Sequence, residues 1–250
     1  MAMKNSPFTV ILPAAGSGSR FGGDKLLADL CGKTVLSRTV ELFASRPDVE
    51  ALVIATSPDR FAVYRSAASP ERVGVPVHFT PGGVERWDTV YNALSSPAIT
   101  TDLVAIHDAA RPLTPCAVID AAFSTALTHG TALPAVPEPA TLKTVDTNGA
   151  DRRVLHTVDR RRIYQAQTPQ CFRTQLLREA FALLIARGQT AEITDDAQVA
   201  ELAGISVAVT TGSNLNVKIT HLEDMLLARA IYNMQHADAA VMEGRLHEQK

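Results

Sequence analysis

Arg20 and Lys25 stand among Gly16, Gly18, Gly22 and Gly23 in the stretch LPAAGSGSRFGGDKL (12–26), directly behind an apolar run. Glycines lack a Cβ, so their backbone amides can approach phosphate oxygens closely, and two cations in one loop add positive charge. The chemistry on offer is the handling of a phosphorylated ligand. Two familiar glycine patterns fail here. A dinucleotide fingerprint begun at Gly16 and Gly18 needs a third glycine where Phe21 stands, and no acidic residue closes the second apolar run. A P-loop from Gly18 to Gly23 needs Lys and then Ser or Thr where Asp24 follows. The bland alternative is a flexible turn.

A second cluster, IHDAARP (106–112), follows another apolar run and carries Asp108 and Arg111. An acid there can bind a ribose hydroxyl or help hold a metal–phosphate unit, and the plain alternative is an Asp–Arg pair tying down its own loop. GGVERWDT (82–89), AQTPQ (166–170), ITDDA (193–197) and NVKIT (216–220) are further candidates. Thr194 also suits a helix N-cap, and Lys218 also suits a strand edge. His107, inside an apolar run, reads as a satisfied interior histidine before a catalytic base.

These residues need a frame. FTVIL (8–12), ALVIAT (51–56), VPVHF (75–79), LVAIH (103–107) and ALPAV (132–136) are too short for buried helices and are expected as strands. Helices are expected after Ser57-Pro58 and Thr114-Pro115, where proline suits the first helical position. The alternation predicts an α/β fold with a mainly parallel sheet, whose ligands bind beyond the carboxyl ends of the strands. Residues 138–162 break the rhythm: TLKTVDT and RRVLHTVDR read as a polar hairpin around Asn148-Gly149. An exposed two-stranded ribbon is weak alone, so it is expected as an arm against another subunit, the alternative being a hairpin folded on its own domain.

Leu176, Leu177, Ala180, Phe181 and Leu184 form a helical stripe, and strands are expected at 205–209 and 216–220. Thr220 to Glu223 reads as a capping box for a closing helix with Leu222, Met225 and Leu226 on one face. The division expected is one domain over 1–250, with 236–250 as a polar, frayed tail.

Composition narrows the partners. The 250 residues carry a net charge of −2, which argues against broad binding to nucleic acid or membrane surfaces. Cys31, Cys116 and Cys171 show neither metal-ligand spacing nor a disulfide framework; each is expected as a small buried apolar residue in a reducing cytoplasm. No leader or membrane-spanning segment is expected.

Taken in order, LPAAGSGSRFGGDKL, GGVERWDTV, IHDAARP, TLKTV, HTVDR, AQTPQ, ITDDA and NVKIT are similar to the 2-C-methyl-D-erythritol 4-phosphate cytidylyltransferases over roughly residues 8–233. The resemblance implies a Rossmann-like nucleotidyltransferase fold, a homodimer interlocked by the 138–162 arm, and transfer of a cytidylyl group from CTP with Mg²⁺. It implies Arg20 and Lys25 on the α-phosphate, with Arg160 and Lys218 also in the catalytic set. Pro13, Ala14, Ala15, Gly16, Gly83 and Thr89 would hold cytosine and ribose, framed by Asp108 and Arg111. Arg160 and Lys218 would position methylerythritol phosphate, supported by Thr141, Thr168 and Thr194. No protein ligands of the metal follow from it. Val84, where many relatives are acidic or polar, and the bulky Trp87 depart from the pattern, and Arg161 or Arg162 could share the role of Arg160. The rivals are a ribitol 5-phosphate cytidylyltransferase and, from another class, a non-catalytic nucleotide-binding regulatory module.

Overall fold

The computed structural model of the chain describes residues 6–16, 19–147, 151–191 and 193–247. From the N-terminus come β1 (Phe8–Pro13), the short strands β2 (Asp29–Leu30) and β3 (Lys33–Thr34), α1 (Val35–Ala44) and β4 (Val49–Thr56). A single 3-10 turn (Pro58–Arg60) leads into α2 (Phe61–Ala68), followed by β5 (Val77–Pro81), α3 (Arg86–Leu94) and β6 (Leu103–Ile106). Next come α4 (Cys116–His129), β7 (Thr131–Pro137), β8 (Lys143–Asp146), β9 (Arg153–Thr157), β10 (Tyr164–Ala166) and β11 (Gln170–Arg173). The chain closes with α5 (Thr174–Ala186), α6 (Asp196–Leu202), β12 (Val209–Thr211) and α7 (Leu222–His247).

The main sheet has eight strands in the order β10-β7-β11-β6-β1-β4-β5, with β12 beside β7. β5, β4, β1 and β6 run parallel. β11 enters antiparallel between β6 and β7, and β10 pairs antiparallel with β7. From β1 the chain builds outward to β4 and β5, then returns across β1 to β6. That reversal opens a crevice at the carboxyl ends of β1 and β6, where such sheets hold their ligands.

Alternation along the strands supplies two cores. Phe8, Val10 and Leu12 face one side with Leu52 and Ile54, covered by α1, α2, α4 and α7 through Val40, Tyr64, Phe123 and Met225. Ile11, Val53 and Ile106 face the other with Val90, Phe181 and Val199 from α3, α5 and α6. Both faces of the central strands are therefore dry, which is why these runs read as continuously apolar.

Several expected details move. Residues 205–209 yield a strand only at Val209–Thr211, and 216–220 form none. There the Asn216 side chain donates to the Thr168 carbonyl (2.9 Å) and the Asn216 backbone carbonyl accepts from Arg111 (2.7 Å), so the segment is tied to loops instead of a ladder. Ser57 makes no side-chain cap bond, and the Thr114 hydroxyl turns to Asn216 (2.8 Å) rather than capping α4. The carboxylate at the start of α7 comes one residue later than read: Asp224, not Glu223, accepts from the amides of Thr220 (2.7 Å) and His221 (2.8 Å), while the Thr220 hydroxyl donates to the Lys218 carbonyl (3.3 Å). On that helix Met225 is buried with Ala228 and Ile231, whereas Leu222 and Leu226 are exposed.

The tail expected to fray from His236 continues α7 to His247, and 248–250 lie outside the described residues, as do Gly18 and the Asn148-Gly149 turn. Cys171 is buried as expected, Cys31 is half-buried and Cys116 is exposed at the start of α4. Among the described residues β8 and β9 pair only with each other. No helix among the described residues is long and apolar enough to cross a membrane.

Candidate active site

Hydrogen bonds that extend the sheet past its strands build the rim of the crevice. The Ala14 amide donates to the Ala55 carbonyl (2.8 Å), and the Thr56 hydroxyl donates to the Ala14 carbonyl (3.0 Å). The Gly82 amide reaches the Thr56 carbonyl (2.8 Å) and the His107 amide reaches Ile11 (2.9 Å). Three loops, after β1, β5 and β6, are thereby fixed around one cleft of about 260 Å³.

Pro13 to Gly16, Arg20 and Lys25 line it from the first loop, Val84, Arg86 and Thr89 from the second, and Asp108 to Ala110 from the third; Lys218 closes the side. Gly83 lies in the second loop with its amide on the Thr89 hydroxyl (3.0 Å). A Cβ at Gly83 would fall 2.1 Å from the Asp88 carboxylate, which accepts from the Val84 amide. The glycine thus makes room for the carboxylate that shapes the turn.

Charge in the cleft is organised around Asp108. Its carboxylate is 3.0 Å from the Lys218 ammonium, 3.2 Å from the Arg111 guanidinium and 3.8 Å from that of Arg86. Burial alone would raise its pKa, but Lys218, Arg86 and Arg111 outweigh burial and hold it well below the carboxylate range. Asp108 is ionised, and the plain reading of an Asp–Arg pair is met in part: Arg111 ties the loop to Asp108 and to the Asn216 carbonyl (2.7 Å). Lys25 has the opposite environment. Burial, then Lys218 and Arg20, lower its pKa against the opposing pull of Asp108, so its ammonium is held near like charges that an incoming polyanion would relieve.

Other sequence candidates lie elsewhere. Thr168 is buried; its hydroxyl accepts from the Asp108 amide (3.1 Å) and meets His107 Nδ1 (3.1 Å), so it props the Asp108 loop from behind. Exposed Thr194 holds the Gln198 side-chain oxygen (3.0 Å), while Asp195 caps α6. Thr141 and Arg160 belong to the hairpin segment and do not line the cleft of their own chain; Arg160 donates to the Pro139 carbonyl. Arg161 spends its guanidinium on Asp159 (2.6 Å). Val84 is 94 % exposed, and Trp87 turns away from the cleft onto the core of α3, α5 and α6.

Arg86 was not among the site residues expected. It reaches from the first turn of α3 to Asp196 (2.7 Å), whose side chain is 1 % exposed, and to Asp108. Burial lowers its pKa, but Asp196, Asp108 and Asp195 raise it further, so Arg86 stays charged. Its Nη1 and the second oxygen of Asp196 lack partners among the described residues, which leaves donor and acceptor capacity beside the cleft. The paired ERW and TDD motifs were a signal only in hindsight, since nothing local links residues so far apart.

His107 is fully buried, with Nε2 3.1 Å from the Arg111 carbonyl and Nδ1 3.1 Å from the Thr168 hydroxyl. A carbonyl only accepts, so Nε2 carries the proton and Nδ1 accepts from Thr168. Burial lowers its pKa to about 4, partly offset by that carbonyl, so the ring is neutral. The unfolded chain takes up the proton first as pH falls. Stability from this group is full above about pH 6.5 and declines between pH 6.5 and 4, reaching a loss of roughly 2 kcal/mol at pH 5. The depressed carboxyl of Asp108 loses its contribution only below the ordinary carboxylate range. Denaturant midpoints at pH 7 and pH 5 should therefore separate widely for the wild type and far less for His107→Gln; equal separations would reject the assignment.

Among the described residues no cluster of three or more His, Cys, Asp or Glu is placed to hold a metal ion. A glycine-rich loop at a sheet reversal, with cations converging on one rim carboxylate, is built to bring a nucleotide's phosphates to a second anion. That is the class of a nucleotidyltransferase. The family profile IspD, 2-C-methyl-D-erythritol 4-phosphate cytidylyltransferase, matches residues 8–234, and the chain belongs to this family.

The chain is 39 % identical over 238 residues to the 2-C-methyl-D-erythritol 4-phosphate cytidylyltransferase of Rhodopirellula baltica, covering 90 % of this chain and 94 % of that one. It is 35 % identical over 234 residues to the chloroplastic enzyme of that name from Oryza sativa, covering 93 % and 76 %. The crystal structure of the Thermus thermophilus enzyme of that name superposes with a TM-score of 0.73 at 32 % identity, covering 90 % and 98 %.

Proposed function

We propose that this enzyme joins CTP and 2-C-methyl-D-erythritol 4-phosphate to give 4-diphosphocytidyl-2-C-methyl-D-erythritol and pyrophosphate, in isoprenoid precursor biosynthesis in the cytoplasm. The observation that carries this reading is the convergence of Arg20, Lys25, Lys218 and Asp108 on one cleft at the sheet reversal. A phosphate oxygen of the sugar alcohol attacks the α-phosphorus; the new P–O bond forms as the bond to the bridging oxygen of pyrophosphate breaks. Two polyanions must meet, so the barrier is repulsion and positioning more than proton removal.

Arg20 and Lys25 face the α-phosphate and the charge that grows there. Ala14, Ala15 and Gly16, with Pro13, Gly83 and Thr89, hold base and ribose; backbone carbonyls are fixed acceptors for the exocyclic amine of cytosine. Asp108 orients Lys218 toward the substrate phosphate, and Arg111 and Thr168 steady Asp108. Mg²⁺ enters as part of the nucleotide substrate, neutralising the triphosphate. Of the carboxylates that line the cleft, Asp108 is engaged by cations and Asp24 by the Tyr64 hydroxyl (2.8 Å).

Incubation with CTP, Mg²⁺ and either methylerythritol phosphate or ribitol 5-phosphate, followed by pyrophosphate detection, tests the substrate. Turnover only with ribitol 5-phosphate would move the enzyme to that relative's activity, and CTP binding without turnover of either would make it a regulatory module.

The chain acts as one nucleotidyltransferase unit, and its hairpin carries Thr141 and Arg160 into the cleft of a second copy. The separate pairing of β8 with β9, and the place of Arg160 outside its own cleft, support this. Light scattering should show a dimer. Subunits of Arg160→Ala and Lys25→Ala, each inactive alone, should recover about a quarter of wild-type activity when unfolded and refolded together, because mixed dimers regain one intact site. No recovery would place Arg160 and Lys25 in the same chain's site.

A further inference from the structure

Behind the glycine-rich loop lies a set of side chains that the transfer reaction does not use. Tyr64, on α2, has no exposed surface, and its ring is part of the core beneath β1. Its hydroxyl emerges at the loop and donates to Asp24 Oδ2 (2.8 Å). Arg60, one turn earlier, donates from Nη1 to that hydroxyl (3.1 Å) and to the Gly16 carbonyl (3.1 Å), and lies 3.7 Å from the Asp24 carboxylate. The other Asp24 oxygen accepts from the Leu26 amide (3.1 Å), and Leu26 is buried with its carbonyl on the Leu36 amide (3.0 Å). Both ends of the loop are therefore fastened, at Gly16 and at Asp24, to one helix turn.

Rest of the loop geometry gives the fastening a purpose. Lys25 directly follows Asp24 and shares the cleft with Arg20, Lys218 and Asp108. Asp24 carries the nearest opposite charge in sequence. Unheld, its carboxylate could turn to Lys25 and neutralise the cation that the α-phosphate needs. We propose that Tyr64 and Arg60 are positioning residues for cytidylyl transfer, clamping Gly16 and Asp24 so that Lys25 stays directed at the reacting phosphate. Burial and the Asp24 contact raise the pKa of the Tyr64 hydroxyl, which keeps it a donor throughout the working range.

The proposal rests on the cytidylyl-transfer reading, and its test separates the two. Tyr64→Phe keeps the buried ring and removes only the donor. It should lower kcat about 10–100-fold, with KM for CTP changed far less. Asp24→Ala removes the carboxylate that would compete for Lys25 and should cost less than Tyr64→Phe, and Tyr64→Phe added to Asp24→Ala should cost nothing more, since the tyrosine acts through that carboxylate. A merely structural Tyr64 would instead lower the melting temperature alike in both backgrounds and leave kcat in place. Wild-type kcat in folded Tyr64→Phe, or losses that multiply in the double variant, would overturn the clamp.

Arg60→Gln, at a partly exposed position, should also lower kcat and decides the matter if Tyr64→Phe does not fold. Amide exchange at residues 22–28 in the free protein should be faster in the variant that folds than in the wild type. Unchanged exchange would overturn the clamp even if the wild-type protein released no pyrophosphate, a result that by itself would reject only the transfer reading.

Discussion

Lys25→Ala is expected to lower kcat by about 10²–10³-fold while weakening CTP binding by less than about tenfold. The free cleft already crowds Lys25 with Lys218 and Arg20 and lowers its pKa by burial. An ammonium in that environment gains most when negative charge on the reacting phosphorus is greatest, which is in the transition state. On the proposed reading ground-state binding is spread over the backbone around Gly16, the second loop and Arg20, so losing one cation leaves most of it. Single-turnover rates beside equilibrium dialysis with CTP separate the two quantities. Equal losses in both would make Lys25 a binding residue only.

The second large effect is expected at Asp108. Asp108→Asn keeps the size of the side chain but leaves Lys218, Arg111 and Arg86 facing a neutral amide. Breaking one partner out of a largely buried charge cluster costs about 3–5 kcal/mol, and urea midpoints at pH 7 should show a loss of that order. Turnover should fall with it, since Lys218 then has no tether at 3.0 Å. Added pyrophosphate should restore part of the lost stability by supplying the missing negative charge, whereas it should do less for a core variant of matched instability such as Phe181→Ala. Equal rescue of both would argue against Asp108 as the counter-charge of the cleft.

How far the sequence could be read depended on range. β1, β4, β6 and β7 were legible because strands covered on both faces must be apolar throughout, and the hairpin because two polar strands flank a strong turn signal. β10 and β11 were not, since they are three and four residues long and Pro169 between them argues against a strand. Arg20, Lys25, Asp108 and Lys218 could be proposed from motifs and meet in one cleft. Arg86 with Asp196, and Tyr64 with Asp24, could not, because each pair joins segments that only the folded chain brings together. Thr168 shows the converse: a polar residue in a motif whose hydroxyl faces inward, to the histidine that sets the Asp108 loop.

Lys218 completes the cleft from the last quarter of the chain, whereas the glycine-rich loop and Asp108 come from the first half. A polypeptide emerging from the ribosome thus makes Asp108 with Arg86 and Arg111 well before the ammonium that will share its carboxylate. The cleft is assembled in full only once synthesis has passed residue 218. Competence for chemistry is in this way tied to synthesis through residue 218, so a product truncated before it would carry the glycine-rich loop without the cation opposite it.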